Sequence, residues 1–176
     1  MTGLSWRSHC WKLARARLLP TLPIEVVRLR VRRAAELGLD YKTYAGIRAS
    51  TGHDLVAFLF SSNALRVLRK AQLLPVDRAS KLSTIQAGCI GLASRPLTPA
   101  DLALAAPILS EVFAAPNHLS SFAEARRALR QAVGRRPSDT VVLVGDHSLE
   151  AEWCAAGRLA GYLSADRYFG AEAKIL

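Results

Sequence analysis

The chain has 176 residues, 51% of them apolar, and a formal net charge of +10. That length fits one domain with a sizeable core, and that apolar content excludes a chain disordered throughout. No apolar run approaches a membrane span.

The charge is uneven. Residues 1–100 hold 16 Lys/Arg against 5 Asp/Glu, and residues 101–176 hold 8 against 9. A basic half favours a polyanionic partner, and equally fits arginines that solvate helix faces. Arg7, Lys12, Arg15 and Arg17 interrupt the N-terminus, which excludes a signal-peptide pattern. Cys10, Cys89 and Cys154 form no C-x-x-C pair and suit free thiols in a reducing compartment. The expected location is cytoplasmic.

In chain order, Trp6, Trp11, Leu13 and Leu18 among basic residues predict an amphipathic helix over 4–19. The acid-free stretch 1–24 also has the composition of a transit peptide. Pro23 opens a helix over 23–37 with Ile24, Val27, Val31 and Ala34 on one face, and Gly38 stops it. Asp40 caps a second helix through about Ser50, ended by Gly52. Leu55 to Phe60 then reads as a buried strand ending at Ser61-Ser62-Asn63. A helix is expected over 64–73, ending before Pro75, with polar, basic chain over 76–84.

A weaker strand is expected within 85–93, where Gly88 and Gly91 count against it. Thr98-Pro99-Ala100-Asp101 is a capping pattern, and Pro107 predicts a kink or two short helices between 99 and 114. Ser121-Phe122-Ala123-Glu124 opens a helix over 121–133, ended by Gly134. Val141 to Val144 is the second clear strand, within 140–145, ending at Gly145-Asp146-His147-Ser148. Ser148 is expected to cap a helix over 149–156, with Glu150 and Glu152 favoured by its dipole. A weak strand over 158–163 and a turn over 164–170 complete the pattern. The expectation is a helix-rich α/β layered domain with a small, mainly parallel sheet. Its divisions are a basic helical segment, 1–52, and an α/β core, 53–176, forming one folding unit.

The candidate ligand site is the polar edge where the two clear strands stop: Ser61, Ser62, Asn63, Asp146, His147 and Ser148. If the strands are parallel neighbours, these residues share a rim with two helix N-termini, a cradle for phosphate or another small anion. Asp146 could hold a metal or act as a base. The plainer reading makes the same residues caps and turn formers. Adjacent Asp146 and His147 are badly placed for a catalytic triad.

The run Pro137 to Asp146, followed by Glu150 and Ala155-Ala156-Gly157, resembles the last acidic motif of haloacid-dehalogenase-type phosphatases. The resemblance implies a magnesium-holding role for Asp146. Phe60-Ser61-Ser62-Asn63 is similar to that family's second motif, and Lys81 is the candidate for its lysine. The family's nucleophile lies in an Asp-x-Asp motif after an early strand, and this chain has no Asp-x-Asp. Arg95 to Asp101, the helix over 121–133, the strand over 140–144 and Gly157 to Leu163 resemble the opening of a GNAT-type acetyltransferase. That family's glycine-rich acetyl-coenzyme A loop has no counterpart in this sequence.

The alternative partner is nucleic acid. The helices over 23–37 and 41–50, joined at Gly38-Leu39, resemble a helix-turn-helix. Arg28, Arg32, Arg33, Lys42, Thr43 and Arg48 are its candidate contacts. The same pair is also a common packing unit without a ligand. A non-catalytic interaction protein is the third reading. His9, His53, His118 and His147 are scattered, and no Cys/His spacing matches a zinc site.

Overall fold

The computed structural model describes residues 22–117 and 119–170. The expected helix over 4–19, most of the acid-free stretch, Cys10 and His118 lie outside the described residues. Helices α1 (Ile24–Glu36) and α2 (Tyr41–Thr51) precede strand β1 (Ala57–Ser61). Then come α3 (Val76–Thr84), β2 (Gly88–Ala93), α4 (Pro99–Ala105) and β3 (Glu111–Ala114). The chain continues through α5 (Phe122–Val133), β4 (Val141–Gly145), α6 (Ser148–Gly157), β5 (Gly161–Ser164) and α7 (Ala165–Gly170).

The five strands form one all-parallel sheet in the order β3-β2-β1-β4-β5. The order grows outward from β1 to β3, then restarts at β4 on the other side of β1. Such a reversal opens a crevice at the carboxyl ends of β1 and β4, the usual ligand position in open α/β sheets.

Both faces of the sheet are covered, which is why β1 and β4 read as unbroken apolar runs. Phe58, Phe60, Val142 and Val144 face one core with residues of α1, α2, α4 and α7. Ala57, Leu59, Val141 and Leu143 face the other, under α5 and α6. Tyr168 of α7 lies between Phe58 and Phe60, with ring centroids 5.3 and 5.6 Å away. Its hydroxyl donates to the Leu37 carbonyl at 3.1 Å, tying α7 to the end of α1. Gly91, the residue that weakened β2 as a strand, sits where a Cβ would come within 2.8 Å of Leu109. It marks a close approach of the α4–β3 connection.

Asp54 joins the helical pair to the sheet. It takes the Tyr44 hydroxyl at 2.7 Å and Arg33 Nε at 3.1 Å, and Arg48 lies 3.5 Å away. Arg33 also donates to Glu36 and to the carbonyls of Leu55 and Gln86. These bonds turn Arg33 inward and set the rotation of α1. Of the apolar face of α1, Ala34 is buried and Val27 half-buried, while Ile24 and Val31 are exposed.

Four other expectations are corrected. Residues 64–73 form turns, because Leu65 and Val67 are both fully buried at a spacing a helix would direct apart. Arg66 and Ala71 have φ of 57° and 61°, and the Gln72 side chain takes the N–H groups of Leu68 and Arg69. The helix instead runs over the segment read as polar chain, with Arg78 and Leu82 buried. Between 99 and 114 there is one helix and then the edge strand β3. Pro107 follows the C-cap Ala106, and the Ser110 N–H moves to the Cys89 carbonyl at 2.8 Å. Residues 165–170 are helical, anchored by Tyr168. No helix among the described residues is long and apolar enough to cross a membrane.

Candidate functional site

β1 and β4 are parallel neighbours in register, Phe60 opposite Val144, so their polar ends share one rim. The rim is filled from within the chain. Glu150, in the first turn of α6, is fully buried. Its carboxylate accepts Ser61 Oγ at 3.0 Å, Asn63 Nδ2 at 2.8 Å, the Asp146 N–H at 2.6 Å and the His147 N–H at 3.3 Å. A buried carboxylate is costly unless its oxygens are satisfied, and four donors at a helix N-terminus satisfy it. The anion expected in this cradle is thus supplied by Glu150 itself.

Gly145 makes room for this arrangement. A Cβ there would lie 2.5 Å from Glu150 Oε2 and 2.7 Å from Tyr162 Cε2. The Tyr162 hydroxyl donates to the His147 carbonyl at 3.1 Å, closing the same turn from β5. His147, not Ser148, is the N-cap of α6; Ser148 is its exposed first residue.

The carboxylate of Asp146 faces a cation. Arg66 Nη2 lies 3.7 Å from Asp146 Oδ1 and 3.7 Å from Asp166 Oδ1. Arg78 is buried nearby, its guanidinium 4.3 Å from the Phe169 ring centroid and bonded to the Ala64 carbonyl. Burial, then the neighbouring Arg66, lowers the Arg78 pKa from its ordinary value. Among the described residues no three His, Cys, Asp or Glu side chains gather as a metal site.

Ser62 turns the other way. Its Oγ accepts the Ser94 N–H at 3.1 Å, linking the ends of β1 and β2. Ser94 Oγ is buried and has no hydrogen-bond partner among the described residues. One of the two helix N-termini expected here is absent, since no helix follows β1 directly.

The nucleic-acid candidates divide. Arg33 and Arg48 belong to the Asp54 cluster, and Thr43 is buried, accepting Arg167 Nη2 at 2.7 Å. Arg28 is exposed and paired with Glu25 at 3.0 Å. Arg32 and Lys42 are exposed.

Two functional relationships were not read from the sequence. Glu150 was assigned to the helix dipole and to the phosphatase likeness, although a glutamate four residues past a strand-ending Gly-Asp was the signal for a turn-closing acceptor. Arg66 gave no signal, because its segment reads as helix. Lys81 does not reach out as a ligand lysine. Its ammonium donates to the Tyr168 carbonyl and sits 4.5 Å from that ring's centroid, and burial lowers its pKa.

The phosphatase likeness is therefore local. The early strand is β1, and Ser61-Ser62-Asn63 stands at its end with no carboxylate. No protein-family model, curated protein or solved structure matches the chain.

Proposed function

We propose that this protein binds nucleic acid, with the sheet as scaffold and exposed arginines and lysines as the contact surface. The observation that carries the reading is the division among its polar groups. The strand-end donors serve Glu150, and Asp146 is matched by Arg66. Exposed cations such as Arg32, Lys42, Arg69 and Arg95 have no ion pair among the described residues. With a net charge of +10, such a surface attracts a polyanion at long range. An electrophoretic shift with a mixed-sequence oligonucleotide tests it. Binding is expected at low salt and falls steeply as salt rises, as displaced counterions require. Absence of any shift at the lowest salt overturns the proposal.

A second reading has one atom in its favour. The unpartnered Ser94 Oγ lies beside Ser62 at the carboxyl edge of the sheet, where a small anion such as phosphate would be held. Inorganic phosphate is then expected to raise Tm, and Ser94→Ala to abolish that rise. A Tm insensitive to phosphate removes this reading and leaves the first intact.

A further inference from the structure

Helix α5 presents a row that the sheet does not use. Ala125, Leu129, Ala132 and Val133 form its buried face. Phe122, Arg126 and Arg130 recur every four residues and so share one outer row, rising about 6 Å per step. Phe122 is 62% exposed. Arg127 lies beside it in a shallow depression of about 490 Å³ lined also by Arg126 and Arg130. A second depression, of about 330 Å³, shares Arg126 and Arg130 and adds Arg158 from the end of α6.

These four arginines have no hydrogen bond or ion pair from their side chains to a described residue. Asp139 is the one carboxylate lining either depression, and it lies 3.6 Å from His53 Nε2. Glu124, nearest to Arg127 along the helix, is held by the Ser121 N–H and hydroxyl in the capping box and feels Arg127 only through space. Arg158 adopts φ 52° and ψ 43°, the left-handed cap that glycine fills without steric cost. A long cation in that position adds charge to the surface at the expense of backbone strain.

We infer that this row is a binding platform for single-stranded nucleic acid. The arginines neutralise successive phosphates, and the Phe122 ring stacks on an unpaired base. The inference rests on the nucleic-acid reading above and places the contact on α5 instead of the α1–α2 pair. An exposed ring at the end of a cationic row suits a single strand, because duplex bases have no free face. An anionic membrane would require a continuous apolar face, and the outer row of α5 carries one apolar side chain, Phe122, with the exposed Leu119 lying before the helix.

Fluorescence anisotropy of the full chain with a labelled mixed-sequence single strand, in DNA and RNA arms, tests it. Arg126→Ala with Arg130→Ala is expected to weaken binding and reduce the log–log salt slope by about 1.4, since each phosphate contact on a single strand contributes about 0.7. Phe122→Ala is expected to weaken binding roughly five-fold or more with the salt slope unchanged. Arg158→Gly is expected to weaken binding while Tm holds or rises, which separates lost contact from lost folding. Unchanged affinity in the Arg126/Arg130 double variant overturns the inference. Tighter binding to duplex DNA or to anionic lipid vesicles than to the single strand also overturns it. If Arg32→Ala with Lys42→Ala abolishes binding instead, this inference fails and the nucleic-acid reading stands. If no oligonucleotide binds the wild-type chain, both fail.

Discussion

The Ser61 hydroxyl donates to the Glu150 carboxylate at 3.0 Å across 89 residues of sequence, joining the end of β1 to the first turn of α6. The bond closes the crevice between the two central strands, where a ligand would enter an open α/β sheet. Replacing Glu150 by Gln leaves an amide N–H among four donors that need an acceptor. The expected loss is about 2–3 kcal/mol of unfolding free energy, read from urea denaturation. A loss below about 0.5 kcal/mol, the scale of an ordinary surface substitution, contradicts the role assigned to Glu150.

Gly145 is fixed by the same contact. An alanine methyl there would meet Glu150 Oε2 at 2.5 Å and Tyr162 at 2.7 Å. Gly145→Ala is expected to destabilise by about 1–3 kcal/mol, as overpacking does in a filled site. Thermal denaturation checks this, and a variant as stable as wild type contradicts it.

Ser94 has the opposite sign. Its Oγ is buried with no hydrogen-bond partner among the described residues, and a buried hydroxyl without a protein partner adds little to stability. Ser94→Ala is expected to be neutral or to stabilise by about 1 kcal/mol. A destabilisation above about 1 kcal/mol shows a bond that this arrangement lacks.

The Asp54 cluster predicts a pH dependence. Burial alone would raise the Asp54 pKa, but the Tyr44 hydroxyl, the Leu55 N–H and Arg33 outweigh it and hold it below the ordinary 3.8. The Thr43 hydroxyl does the same for Asp40. A carboxylate depressed on folding adds stability above its unfolded pKa, and that stability is lost as pH falls through the folded pKa. Asp54→Asn is therefore expected to show its largest deficit near neutral pH and a shrinking deficit below pH 3.8. A deficit constant between about pH 7 and about pH 3 contradicts the assignment.

Cysteine reactivity follows from burial. The Cys89 thiol is 6% exposed and is pushed up to about 11, and burial raises Cys154 as well. In a Cys10→Ser background, native protein is expected to react slowly with a thiol reagent and fully once unfolded. Rapid native labelling at either site contradicts this packing.

Strands β1 and β4 were legible because full burial on both faces leaves Ala57 to Phe60 and Val141 to Val144 uniformly apolar. The caps at Asp40, Thr98 and Ser121 were legible because each acts within three residues of itself. Edge strand β3 was not, since Val112 and Phe113 are only partly buried and follow a helix-like run broken by Pro107. The stretch 64–73 has helical composition, and burial of Leu65 and Val67 overrides it. Of the rim residues, Ser61, Asn63 and the Asp146 and His147 N–H groups meet at Glu150, while Ser62 turns to Ser94 and Ser148 is exposed. What they bind was not legible, because Glu150 meets Ser61 and Asn63 only after the sheet brings β4 beside β1.

The strand-end bonds hold the sheet edge together, and the ligand is proposed to sit on the exposed arginines instead. The most direct measurement compares wild type, Glu150→Gln and the milder Ser61→Ala for oligonucleotide affinity across salt, at a temperature where all three remain folded. The predicted result is equal affinity and an equal salt slope in all three, with both variants less stable to urea. Weakened binding at undiminished stability in either variant would place the ligand at the strand ends and contradict the account.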